Sequence, residues 1–302
     1  MLSNHNPDSI WIPETWGMDC CSMMSNISQI VKKPKIGSSI MNIYSRSPTL
    51  VAMSIATLDN LSHGRVILGL GTSSKSIVEE WHGVKFDHPV GRMREYVEII
   101  QLALSGKKCN YDGDYFHLRN FSLLITPFRK QIPIYLAAIN QKMVELTWEV
   151  ADGTIFYLRP LDELKTTIQK MQNRRKIDVA CQLITSVSEN ADEAITRTKK
   201  TIAFYISVGN IYREFLSKSG FKKETEDIFD EYEQSGLRDN HNLVSDKMVN
   251  ALAVCGTPED ARKQLSRFVH AGVDLPILQF NPAGEFQKSF NLFISTFEED
   301  VN

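Results

Sequence analysis

Short apolar runs alternating with longer helical patterns constrain this chain more than any other feature. Residues 9–12, 36–41, 66–70, 133–137, 154–157, 179–187 and 275–280 read as buried strands. Between and after them, residues 19–31, 47–61, 89–105, 141–150, 161–174, 191–208, 257–271 and 285–297 carry helical patterns. A strand covered on both faces reads as a near-continuous apolar run, and crossover helices supply the cover, so the pattern predicts a parallel α/β sheet. Local signals agree. Pro89 and Pro258 suit the first helical turn, and Thr257 suits an N-cap followed by acids.

Two segments break the rhythm. Tyr111-Asp112-Gly113-Asp114-Tyr115 has turn chemistry between aromatic flanks, which predicts a β-hairpin insertion near residues 109–125. Residues 209–250 are polar, charged and mostly helical, and read as a second insertion. The count is then seven parallel strands, one short of a closed eight-stranded barrel.

Length and charge narrow the function. The 302 residues suffice for a single domain spanning 1–302. With 34 Lys+Arg against 36 Asp+Glu, neither nucleic acid nor an anionic membrane is expected as the main partner, which leaves a small molecule. Cys20, Cys21, Cys109, Cys181 and Cys255 are odd in number and form no CxxC pair, as expected in a reducing cytoplasm. The histidines show no metal-binding spacing, so no metal is expected. No apolar run reaches the roughly 18 residues of a membrane span, and residues 1–7 lack a signal-peptide layout. There is neither a Walker loop nor a Rossmann glycine fingerprint in recognisable context.

The stretch Ala56-Thr57-Leu58-Asp59-Asn60-Leu61-Ser62-His63-Gly64-Arg65-Val66-Ile67-Leu68-Gly69-Leu70-Gly71 resembles the signature of luciferase-like oxidoreductases. In particular it looks like their deazaflavin-dependent branch, which includes methylenetetrahydromethanopterin reductase. Trp81-His82-Gly83-Val84, Arg94-Glu95-Tyr96, residues 132–138, Ala151-Asp152-Gly153 and Cys255-Gly256-Thr257-Pro258-Glu259 continue the resemblance in family order. It implies a TIM (β/α)8 barrel that transfers hydride between coenzyme F420 and a small organic substrate. The alternatives within the same resemblance are an FMN-dependent monooxygenase and a non-catalytic flavin-binding relative. A homo-oligomer, a dimer, is expected. Members of the family begin with a strand and helix ahead of the motif that here starts at Asp8, so the strand missing from the count is expected to be the first. Its absence reflects either a deletion or a late start of the chain.

Barrel sites lie at the carboxyl ends of the strands, which sorts the motifs by face. Leu61 to Arg65 joins a helix to a strand at the opposite end, so His63 is expected to be structural and Gly64 to end the helix at positive φ. Gly71, Thr72 and Ser73 leave a strand at the site end, where they either receive a flat ring or pack tightly. By resemblance, a cis peptide bond at Ser39-Ile40 backs the ring, and Asn42 and Arg46 follow on the loop; Arg46 either meets substrate or pairs with a carboxylate. Ala137, Ala138, Ile139, Asn140 and Lys142 form the expected phosphate site, where a strand enters a helix. The competing reading makes Asn140 an ordinary N-cap. In Ile12-Pro13-Glu14-Thr15-Trp16, Glu14 matches the acid of the family's acid–histidine pair and is the catalytic candidate, while Thr15 stands where the histidine would be. Trp16 is the candidate for stacking on substrate. Arg92, Arg94, Glu95 and Glu98 are expected in a salt-bridged surface or subunit contact.

Overall fold

The computed structural model describes residues 5, 7–129 and 131–298. The expected polar start at residues 1–7 falls largely on residues 1–4 and 6, which lie outside the described residues. The chain forms two compact units, Met1–Ile155 and Phe156–Asn302.

The first unit runs β1 (Ser9–Ile12), α1 (Cys20–Ile30), β2 (Lys35–Ser38), β3 (Met41–Asn42), α2 (Pro48–Ser62), β4 (Val66–Gly71), a π-helical turn (Ile77–Trp81) and α3 (Pro89–Leu104). It continues through β5 (Cys109–Asp112), β6 (His117–Phe121), β7 (Ile134–Ala137), α4 (Gln141–Val150) and β8 (Gly153–Tyr157), whose last two residues open the second unit. The strands pair in the order β1-β2-β4-β7-β8, all parallel, with β3 alongside the end of β4. Every residue of β4 is buried, as a central strand covered on both faces requires. The helix starts follow their side chains: Asp19, Ser47 and Asn140 cap α1, α2 and α4 by accepting N–H groups of the first turn.

The second unit contains α5 (Leu161–Gln172), β9 (Asp178–Val187), α6 (Ala191–Val208) and α7 (Asn210–Leu216). A kinked turn (Ser217–Phe221), α8 (Lys222–Ser235), a 3-10 turn (Asn240–Leu243) and α9 (Asp246–Leu252) follow. The unit ends with β10 (Ala253–Gly256), α10 (Pro258–His270), β11 (Leu275–Phe280) and α11 (Phe286–Phe297). Strand β9 pairs in parallel with both β10 and β11. Thr257 and Asp260 form a capping box at the start of α10. The helices between residues 209 and 252 pack against α6 through Ile202, Ile206, Leu216, Phe221, Ile228 and Met248.

Three expectations need correction. The sequence predicts one strand over residues 36–41, but β2 stops at Ser38 and the path resumes as β3. The count of seven parallel strands misses β10, a four-residue buried run directly after a helix, too short for periodicity to tell strand from helix. Glu95 belongs to no surface salt bridge. It is buried, and its carboxylate accepts the N–H groups of Asp114, Tyr115 and Phe116, which fixes the β5–β6 turn on α3. Glu98 likewise accepts from the Tyr111 hydroxyl, whereas Arg92 and Arg94 do make ion pairs, with Asp87 and Glu149. Among the described residues no helix is long and apolar enough to cross a membrane, and no group of three or more His, Cys, Asp and Glu is placed to hold a metal ion.

Candidate functional site

The family motif divides by end of strand. At the amino end of β4, Asp59 is fully buried and its carboxylate accepts from the Arg129 backbone, Nε and Nη2. His63 and Gly64 both take positive φ and end α2, and Arg65 donates to the carbonyls of Ser62, Pro34 and Ser28. The Asp59–Arg129 pair and Arg65 tie separate stretches of backbone together, while His63 packs edge-on against Phe128, so this end of the motif is architecture.

The carboxyl ends of β1, β2 and β4 meet differently. The Ser39 N–H donates to Ile12 O, and the Ser38 hydroxyl both donates to Gly69 O and accepts from Gly69 N–H. The Ser38 carbonyl crosses so close to β4 that a Cβ on Gly69 would lie 1.9 Å from its oxygen. Only glycine admits that crossing. The Ser39–Ile40 peptide bond is cis. Beyond it, Ile40 lies over Gly71, where an added Cβ would be 2.5 Å from Ile40 Cδ1 and 3.5 Å from Ala137 Cβ. Ile40, Gly71 and Ala137 are thus brought together, and the close approach at Gly71 is made by the chain's own isoleucine. Thr72 and Ser73 continue the loop, with Ser73 at φ 57°.

Asn42 pairs in register with Gly71 at the end of β3. Its side chain is buried; Oδ1 accepts from Tyr44 N–H, while Nδ2 has no hydrogen-bond partner. A buried donor left unpaired is costly, and a group that could accept from it would relieve that cost.

Glu14 and Arg46 form one network. Arg46 donates to both Glu14 oxygens, at 2.6 and 2.8 Å, and also to Asp19. The Glu14 carboxylate further accepts from Cys20 N–H, and the Tyr96 hydroxyl donates to the Arg46 carbonyl. The hydrogen bonds that the Arg46 guanidinium donates to Glu14 hold its pKa above its ordinary value. Hydrogen bonds from Ser22, and then the Arg46 charge, hold Asp19 below the usual carboxylate range. Of the two readings of Arg46, the carboxylate pairing is the one the geometry shows; Asp19 and Tyr96, neither among the expected site residues, complete the network. Trp16 is exposed and stands edge-on to Trp81, whose placement beside it no local signal gave.

At the expected phosphate site, Ala137 ends β7, the Ala138 N–H donates to Ile155 O, and the Asn140 side chain caps α4 by accepting from Met143 N–H. Lys142 is exposed on the first turn.

Together these observations define a parallel α/β protein with a candidate ligand site at its strand ends. The model of the luciferase-like monooxygenase family matches residues 7–275. A 5,10-methylenetetrahydromethanopterin reductase of Archaeoglobus fulgidus is 26% identical over 293 residues, covering 93% of this chain and 87% of that protein. The solved structure of a coenzyme F420-dependent tetrahydromethanopterin reductase from Methanopyrus kandleri superposes with a TM-score of 0.85 at 23% identity, covering 98% of this chain and 92% of that one. An F420-dependent secondary alcohol dehydrogenase, solved with an F420–acetone adduct, follows with a TM-score of 0.76 at 20% identity, covering 96% and 89%. The fold is therefore of the luciferase-like TIM-barrel type. The chain belongs to the luciferase-like family and is an oxidoreductase.

Proposed function

We propose that this chain is a coenzyme F420-dependent oxidoreductase acting on a small organic substrate, folded as one barrel domain. The observation that carries the reading is the buried, unpaired Nδ2 of Asn42. A deazaflavin ring presents carbonyl and ring-nitrogen acceptors along one edge, the complement of that donor. The F420-dependent relatives support the choice of coenzyme. In this reading Ser39, Ile40, Gly71, Thr72 and Ser73 line the ring, and Ala137, Ala138, Ile139, Asn140 and Lys142 take the phosphate side. Bound there, the coenzyme supplies a carbon centre that gives or takes a hydride and reacts poorly with oxygen.

The chain's own residues orient and screen. Asn42 fixes the acceptor edge, and Ile40 over Gly71 keeps water from the strand ends. Arg46 holds the Glu14 carboxylate in one orientation. A proton moving through Glu14 has to compete with two guanidinium hydrogen bonds, so we assign Glu14 first an orienting charge and only secondarily a proton-handling role. Trp16 faces the substrate. The five free cysteines fit a reducing cytoplasm, and a homodimer is the proposed assembly.

The test is an anaerobic screen of small aldehydes, ketones and imines with reduced coenzyme F420. Oxidation of the coenzyme coupled to product formation is expected. In a parallel aerobic assay, FMN-supported oxygen consumption without F420 turnover would refute the reading in favour of a monooxygenase, and absence of turnover with either cofactor would refute catalysis.

A further inference from the structure

Two indoles stand on strand-end loops of the first unit. Trp16 lies in the loop between β1 and α1, and Trp81 closes the π-helical turn after β4. Their ring centroids are 5.2 Å apart with the planes at 88°. Each nevertheless remains largely open to solvent, Trp16 at 66% and Trp81 at 54%, and Met18, two residues along the chain from Trp16, is 69% exposed. Rings of this size bury large apolar areas in most folds, so a pair held open calls for an explanation.

The loops that carry them are fastened on both sides. Glu14 is held by Arg46 and by Cys20 N–H, and Asp19 accepts from Ser22 N–H and Arg46, which brackets Trp16. Val78 is fully buried, Val84 N–H donates to the Val78 carbonyl, and Phe86 N–H donates to Glu79, which brackets Trp81. The rings are therefore presented by anchored backbone. An edge-to-face pair leaves one indole face open for stacking while the other ring offers an edge, the arrangement that receives a flat conjugated ring. The chain also ties both indoles to the cofactor cradle. Trp16 is two residues from Glu14, whose partner Arg46 lies four residues beyond Asn42, and the turn ending in Trp81 begins four residues after Ser73.

We propose that Trp16 and Trp81 form a platform selecting a substrate that carries a flat aromatic ring next to its reacting carbon. The proposal rests on the F420 reading only in calling the ligand the substrate. A saturated ring of equal size gains the apolar contact but not the match to the indole quadrupoles.

Isothermal titration tests it with two probes of matched size, 2-naphthaldehyde and its fully saturated decalin counterpart, in the presence of coenzyme F420. The wild type is expected to bind the aromatic probe about tenfold more tightly, the range that aromatic pairing supplies. Trp81→Leu and Trp16→Leu each abolish most of that preference, Trp81→Phe retains it, and all three bind F420 as the wild type does. Equal affinity for the two probes, or a preference untouched by Trp81→Leu, overturns the platform. Loss of F420 binding alongside an intact aromatic preference sinks the F420 reading and leaves the platform standing. F420 binding without the preference does the reverse.

Discussion

Asn42→Ala separates the stability of the free protein from its affinity for coenzyme. In the free protein the Asn42 side chain has two opposing effects. Its Oδ1 accepts from the buried Tyr44 N–H, and stranding that donor costs roughly 1–3 kcal/mol, while its own buried, unpaired Nδ2 also costs roughly 1–3 kcal/mol. Removing both leaves a net change centred near zero and within about 2 kcal/mol of it, because the two effects are of similar size and opposite sign. Binding is not offset in this way. If the coenzyme supplies the missing acceptor, the same penalty of roughly 1–3 kcal/mol is recovered on binding, equivalent to an affinity gain of about five- to 150-fold. Asn42→Ala is therefore expected to weaken F420 binding by a factor in that range while its unfolding free energy stays within about 2 kcal/mol of the wild type's. Asn42→Asp, which keeps the acceptor for Tyr44 but loses the donor, weakens binding at least as much. Spectroscopic titration with F420 and urea unfolding supply the two numbers. A dissociation constant within twofold of the wild type, or a destabilisation well beyond the net estimate, refutes the reasoning.

Other perturbations bear on the scaffold. Gly69→Ala drives a methyl into the Ser38 carbonyl and is expected to destabilise by roughly 3 kcal/mol or more, whereas Gly71→Ala meets only the movable end of Ile40 and costs less; thermal unfolding in the opposite order would contradict the crossing described at Gly69. Arg129→Met strands the fully buried Asp59 carboxylate and is expected to cost roughly 3–5 kcal/mol in chemical denaturation; a cost below about 1 kcal/mol would show that the pair contributes little. Burial pushes the Cys255 thiol from 9.0 up to about 11. A raised pKa in the folded state gives stability that is complete below pH 9.0 and lost as the pH rises through about 11, here roughly 2–3 kcal/mol. Unfolding free energy measured across that window should fall less steeply for Cys255→Ala than for the wild type, and identical slopes would exclude the thiol as a cause.

Much of the scaffold was legible because it rests on local signals. The cap at Thr257, the Asn140 cap that stood as the competing reading of its loop, and the limits of α4, α6 and β11 follow from short-range chemistry that a sequence displays directly. The strand β10 was not legible, since four buried residues carry no period. The role of Glu95 was hidden for a different reason: a carboxylate on a helix reads as surface until the turn that covers it is placed. At the candidate site the residue types were readable but their pairing was not. Glu14 and Arg46 are 32 positions apart, and their ion pair emerges only when the segments that follow β1 and β3 are brought together. Trp16 and Trp81 are joined in the same non-local way. Gly71 was read as either receiving a flat ring or packing tightly; the neighbours of the β4 glycines, the Ser38 carbonyl at Gly69 and Ile40 at Gly71, come from a distant part of the chain that no local signal marks.

Anaerobic titration of the purified wild-type protein with coenzyme F420, and in parallel with FMN, tests the central claim most directly. Saturable, one-to-one F420 binding in the micromolar range, clearly tighter than FMN, is the expected result. Absence of saturable F420 binding, or tighter binding of FMN, would contradict it.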